Sequence, residues 1–203
     1  MKNELAIIRD GAIIWFYGKY RFLSNFYNCH INYRGRTYQN AEAAFQAQKV
    51  DVLSAFRPNQ FSEKDKEVFT NTKDANYIKL LGMGRVKEHP EYRMNQEELS
   101  VWNRNALSIM EEIVRAKFEQ NQDLKEKLLE TESLNLIEGN NWGDDYYGIT
   151  LVSEYDNPKN AWERKTLKRG ENGEKLYILS QPENEYNNQL GKILVKIRKE
   201  LSE

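Results

Sequence analysis

Two periodicities divide this chain. Near the N-terminus, Leu5 to Ile8 and Ala12 to Tyr17 are β-rich runs separated by Arg9-Asp10-Gly11, and Asp-Gly between apolar runs predicts a hairpin because both residues tolerate positive φ. A second hairpin is expected from His30-Ile31-Asn32-Tyr33 through Arg34-Gly35 to Arg36-Thr37-Tyr38. Asn40 then stands where an N-cap belongs, and a helix should run from Ala41 to about Phe56, ended by Pro58. Beyond it the pattern is helical. Leu99, Trp102, Ala106, Ile109, Ile113 and Ala116 recur at steps of three and four, predicting an amphipathic helix that continues to Phe118. A short helix over Asp123 to Glu130 and a strand over Leu134 to Ile137 lead into a polar loop, 138–148. The stretch from Tyr155 to Gln181 is mixed, with turns at Asn157-Pro158 and Glu171-Asn172-Gly173. A last helix follows Asn187 or Asn188, its Leu190, Leu194, Ile197 and Leu201 spaced four, three and four. No repeat or linker interrupts this order. The pattern predicts an α+β single domain, with a mainly helical core and small antiparallel hairpins near the N-terminus.

Composition narrows the function classes. Thirty basic residues against thirty-one acidic ones give a net charge of −1, so no global field draws the chain to nucleic acid or membrane. Aromatics make up 12%, which argues against disorder and leaves room for a site that stacks planar ligands. A single cysteine, Cys29, excludes an intramolecular disulfide and reads most simply as a small buried hydrophobe in a reducing compartment. No apolar stretch approaches the ~20 residues of a membrane span, and Glu4, Arg9 and Asp10 interrupt the apolar residues that a signal peptide would need. The expected location is the cytoplasm.

On the helix after Asn40, Glu42, Gln46 and Lys49 are related as i, i+4 and i+7 and share one face. Ala41, Ala44, Phe45 and Val52 supply the apolar side. Glu42 lies in the positive field of a helix N-terminus, which favours an ionised carboxylate; it is either a poised carboxylate that stabilises developing positive charge or acts as a base, or an ordinary first-turn acid. Lys49 is either an ion-pairing surface lysine or, if desolvated, an amine nucleophile. The loop at 138–148 sets Glu138, Asp144 and Asp145 among Asn140, Asn141, Trp142, Tyr146 and Tyr147. Acids, amides and flat rings together suit a sugar-plus-base ligand, although a polar turn with one anchoring Trp has the same composition. Trp102 is a stacking platform or plain core. His30 and His89 have no zinc spacing, and Gly82-Met83-Gly84-Arg85 lacks the lysine of a phosphate loop, though Arg85 remains a phosphate contact candidate.

Taken together these residues resemble the NADAR family, the YbiA-like N-glycosidases. Ser24-Asn25-Phe26 matches its Ser-Asn-Phe turn, and Glu42-Ala43-Ala44-Phe45-Gln46-Ala47-Gln48-Lys49 matches its signature helix of the form Glu-His-x-Phe-Gln-Ala-Gln-Lys. Further matches are Gly84-Arg85, Trp102 with Met110, Lys117-Phe118, Leu128-Leu129, Thr131, Glu138, the loop Asn140-x-Trp142-x-Asp144, and Asn188-x-Leu190-Gly191. The resemblance spans roughly residues 15 to 201. It implies cleavage of an N-glycosidic bond to ribose, on ribosylamino-pyrimidine phosphates of riboflavin biosynthesis or on ADP-ribosylated guanine. The implied catalytic positions are Glu42 and Asp144, with Lys49 a candidate for direct attack on the ribose carbon. Implied substrate contacts are Trp102 and Tyr147 stacking the base, Arg85 on phosphate, and Ser24, Asn25, Phe26, Gln46, Asn140, Trp142 and Asn188 around them. No cofactor or metal is implied; the expected partner is a ribonucleotide-like small molecule or an ADP-ribosylated nucleic acid. Two positions depart from the pattern, Ala43 in place of a histidine and Tyr147 in place of an aromatic that is usually Trp. The alternative is a module that binds NAD or ADP-ribose without cleaving it. The segment 154–181 is longer than the family's usual connection and reads as an insertion that sets specificity.

Overall fold

The computed structural model describes residues 7–9, 11–140, 143–153, 165–169, 175–178 and 185–203. The first runs do form a hairpin, in which β1 (Ile7–Arg9) pairs antiparallel with β2 (Ala12–Ile14). The second strand ends three residues earlier than its apolar run, because Trp15 turns the backbone to φ 68. The other hairpin joins β3 (Ile31–Tyr33) to β4 (Arg36–Tyr38) through Arg34 and Gly35, whose φ values of 48 and 77 are the doubly positive pair of a type I′ turn. The α+β expectation holds, with helices dominating.

Contacts divide the chain into two compact units, residues 25–127, and residues 1–24 with 128–203. In the first, α1 (Ala41–Ala47) begins at Asn40, whose side chain accepts from the Ala43 N–H at 2.8 Å. The single helix expected from Ala41 to Phe56 is two: Gln48 closes α1 with its N–H on the Phe45 carbonyl at 3.2 Å, and α2 (Lys49–Phe56) follows. Next come α3 (Glu67–Asn71), α4 (Ala75–Gly82) and the 25-residue α5 (Gln96–Gln120). Helix α5 starts three residues before its first apolar repeat because Asn95 and Glu98 form a reciprocal capping box. Arg57 buries the Glu98 carboxylate in two charge-assisted bonds, Nε reaching Oε1 at 2.6 Å, and donates to the Glu91 and Arg93 carbonyls. That pairing holds the Glu98 carboxyl below its ordinary pKa. Helix α1 packs against α2, α3, α4 and α5, so all seven of its residues are buried.

After α6 (Gln122–Leu129), β5 (Asn135–Ile137) adds to the first hairpin in parallel, giving the order β1-β2-β5. A second sheet holds β6 (Gly139–Asn140), β7 (Ile149–Ser153), β8 (Lys165–Arg169) and β9 (Lys175–Ile178) in the order β6-β7-β9-β8. Helix α7 (Gln189–Ser202) lies on β5; Gly191 permits this close approach, since a Cβ there would meet the Leu136 carbonyl oxygen at 1.9 Å. Ala12, Ile14, Ile137 and Ile149 form a core cluster, with Trp15 packed against it. Among the described residues no helix is long and apolar enough to cross a membrane.

Candidate functional site

The face carrying Glu42, Gln46 and Lys49 is not a solvated stripe. Glu42 is 6% exposed, Gln46 5% and Lys49 9%, a burial that charged and amide groups accept only with partners. The Gln46 Nε2 donates to Glu42 Oε1 at 2.8 Å, and the Glu42 N–H donates to the Asn25 carbonyl at 3.0 Å. The latter bond ties the polar-aromatic turn to the start of α1. Lys49 Nζ donates to the Gly82 carbonyl at 3.0 Å and lies 5.6 Å from the Trp102 ring centroid. Burial brings the Lys49 pKa down to about 8, the Glu42 charge opposes the fall, and the Lys79 charge adds to it. Trp102 is 5% exposed and meets Phe45 edge-on at 5.0 Å.

Around this group lie the other predicted contacts of the same unit. Asn25 is buried; its Nδ2 reaches the Met110 sulfur at 3.2 Å and its Oδ1 has no hydrogen-bond partner. Gln46 Oε1 likewise lacks one. Phe26 is half-buried, with Lys79 Nζ 5.9 Å from its ring centroid. Arg85 is exposed, its backbone N–H on the Leu80 carbonyl. Ala43 is fully buried. Lys117, of the Lys117-Phe118 match, is fully buried with its Nζ 5.2 Å from the Phe118 ring and 5.9 Å from that of Tyr27. Cys29, expected to be buried, is only half-buried, and its partial burial pushes the thiol pKa up.

In the unit of residues 1–24 and 128–203, the amides build backbone. Asn140 Nδ2 donates to the Asp144 carbonyl and its Oδ1 accepts the Asp144 N–H, at 2.6 and 3.1 Å. Asp144 Oδ1 accepts the Tyr147 N–H at 3.0 Å, and Asp145 Oδ1 the Thr150 N–H at 2.8 Å. Asn188, at φ 53, donates through Nδ2 to the Leu136 carbonyl at 2.9 Å and accepts the Glu138 N–H at 3.1 Å. Tyr147 is half-buried and Tyr146 exposed, their rings 5.0 Å apart and nearly perpendicular. Ser24 is half-buried and ends the short 3₁₀ helix Gly18–Leu23 with its N–H on the Arg21 carbonyl. Trp142 lies outside the described residues, as does most of the expected insertion at 154–181.

The sequence places Phe45 on the apolar side of the helix but does not single out Gly82 or Lys79 for the α1 group. The glycine sat in a stretch read as a weak phosphate loop, and only the packing of α1 on α4 reveals what its carbonyl and its missing side chain meet.

Three comparisons bear on this arrangement. The model of the NADAR domain family matches residues 15–202. An N-glycosidase of Acanthamoeba polyphaga mimivirus is 31% identical over 105 residues, 50% of this chain and 47% of the viral protein, so the alignment spans about half of that relative's length. The NMR structure of the E. coli protein YbiA shares the fold, with a TM-score of 0.59 at 23% identity, over 97% of this chain and 88% of that one.

Proposed function

The chain belongs to the NADAR domain family, and from that premise we propose that it is an N-glycosidase that cleaves the bond between ribose and a base. The observation that carries this reading is the buried group on α1 and α2: a carboxylate held by an amide, an amine with a lowered pKa, and an indole face beside that amine. The mimivirus relative is itself an N-glycosidase, which supports the same reaction class.

The chemistry follows from the bond. Separating ribose from nitrogen builds positive charge on the anomeric carbon, and a desolvated carboxylate is the group that stabilises it. Glu42 takes that role, with Gln46 orienting it. Asp144 is the second proposed carboxylate, for polarising water; one of its oxygens already holds the Tyr147 N–H. Lys49 offers another route. With a pKa of about 8, ~10% of its amine is neutral at pH 7. The neutral amine attacks the anomeric carbon, the base leaves and takes up a proton, the ring opens to an imine, and water then releases the sugar. Trp102 presents a flat face for stacking a base, and Arg85 an exposed guanidinium for phosphate. The substrate classes we favour are ribosylamino-pyrimidine phosphates and ADP-ribosylated guanine.

Ala43 favours a second reading, a module that holds NAD or ADP-ribose unchanged, since it removes a polar contact beside Glu42. Incubation with each N-riboside and mass spectrometry of released base separates the two. Free base with borohydride-trapped ribosyl on Lys49 supports the imine route, and free base without an adduct supports direct attack by water. Tight binding over hours with every substrate left intact would replace the enzyme by the binding module.

A further inference from the structure

Both chemical groups of α1 and α2 lead to one backbone residue. Lys49 Nζ donates to the carbonyl of Gly82 at 3.0 Å. The Gln46 carboxamide occupies the place where a side chain at 82 would stand: a Cβ there falls 2.2 Å from Gln46 Oε1 and 2.9 Å from its Cβ and Cδ. The other end of that amide donates to Glu42 Oε1 at 2.8 Å. The amide thus sets its nitrogen toward Glu42 and its oxygen toward Gly82.

Backbone conformation does not demand a glycine here. Gly82 is the last residue of α4, Met83 follows as the C-cap, and position 82 is absent from the residues with positive φ. Helix propensity at such a position favours alanine over glycine. What the glycine supplies is space and an approachable carbonyl.

We propose that Gly82 is a positioning residue for the reaction: its missing side chain admits the Gln46 amide that orients Glu42, while its carbonyl anchors the Lys49 amine. This rests on the reading that Glu42 and Lys49 act on the substrate. Any side chain at 82 pushes the Gln46 amide away from Glu42 and shifts the carbonyl that holds Lys49.

The test is a double-variant cycle with Gly82→Ala, Gln46→Ala and the two combined. Gly82→Ala lowers base release by ~10–100-fold, the range for displacing a positioned group, mainly in kcat. The acid limb of its pH profile moves upward, because a carboxylate that loses a donor is more readily protonated. In the Gln46→Ala background the same change costs at most ~5-fold, since alanine at 46 removes the Oε1 and Cδ overlaps and leaves only the Cβ contact at 2.9 Å, and coupled residues are not additive. An equal cost in both backgrounds overturns the proposal. A second readout needs no turnover: the side-chain amide resonance of Gln46, assigned by its loss in Gln46→Ala, moves in Gly82→Ala. If no N-riboside is cleaved by the wild type, the functional reading fails and this resonance alone decides; an unmoved resonance overturns the role of Gly82. Should Gly82→Ala not fold, it is placed in a Gln46→Gly protein that itself folds, where no Cβ stands at 46: a folded pair supports the steric account, and an unfolded one overturns it.

Discussion

Two pairs of buried amides, one in each unit, serve opposite ends. In residues 128–203, Asn140 and Asn188 spend both ends of their side chains on backbone groups, as structural polar residues do. In residues 25–127, Gln46 gives its nitrogen to a carboxylate and Asn25 reaches a thioether, and each leaves a buried oxygen without a hydrogen-bond partner. The difference teaches how to sort such residues. An amide saturated by backbone fixes a loop, whereas one bonded to an ionisable group orients chemistry and carries a cost the fold alone does not repay.

The largest expected effect breaks the chemical side of this contrast. Glu42→Gln keeps the shape of the side chain and loses the charge, so base release should fall by ~100-fold or more, with unchanged thermal unfolding. Turnover near the wild-type rate in a folded variant removes Glu42 from the mechanism.

On the architectural side, Asn188→Ala leaves the Glu138 N–H and the Leu136 carbonyl without their side-chain partner, a loss of about 2–4 kcal/mol for two such groups. Asn188→Gly loses the same two bonds but keeps a residue suited to φ 53, so the gap between the two variants measures backbone strain. Urea titration reads both. If Asn188 also contacts substrate, KM rises in the folded fraction; a purely structural role leaves it unchanged.

Lys49→Met tests whether the α1 group is held against its own energetics. With the folded pKa at about 8 and the ordinary value 10.5, both states are protonated below pH 8 and the cost of the buried charge is fully present. Between pH 8 and 10.5 the native state sheds its proton first, so the unfolded state binds more protons and stability rises with pH. The variant should be more stable at pH 7 by roughly 2–3 kcal/mol, show no alkaline rise, and form no imine. Burial raises the pKa of Tyr92 to about 12, and that of Tyr33 is raised by burial and Glu112. Those shifts subtract stability above pH 10, and the raised Cys29 thiol does so above its ordinary 9.0, so the rise is best measured from pH 8 to 9. A flat wild-type profile there would show that Lys49 is solvated.

The smallest expected effect concerns specificity. Between Lys159 and Lys175 six basic residues outnumber three acidic ones. Reversing Lys165, Lys168 and Arg169 to glutamate should weaken action on a modified oligonucleotide, most at low salt because wild-type binding itself weakens as salt rises, and spare a small ribosylamino-pyrimidine phosphate. Equal effects on both substrates would detach this stretch from specificity.

The sequence by itself determined the hairpins, the cap at Asn40, the long helix α5 and the final helix, because turn chemistry, capping and apolar period are local properties. It also determined the family, since the order and spacing of the matches are themselves sequence. Only the tertiary structure decided that α1 is buried on every side. Glu42, Gln46 and Lys49 show the same spacing on a solvated helix, and the packing of four other helices around α1 distinguishes the two. The break at Gln48 was hidden too: nothing in Phe45-Gln46-Ala47-Gln48 opposes a helix, and Gln48 keeps helical angles of φ −68 and ψ −15. The same holds for Asn188, whose match to the family pattern did not disclose that both ends of its amide bind backbone. For Gly82, the residues that need its empty side-chain position lie more than thirty positions away in the chain, where no local pattern reaches.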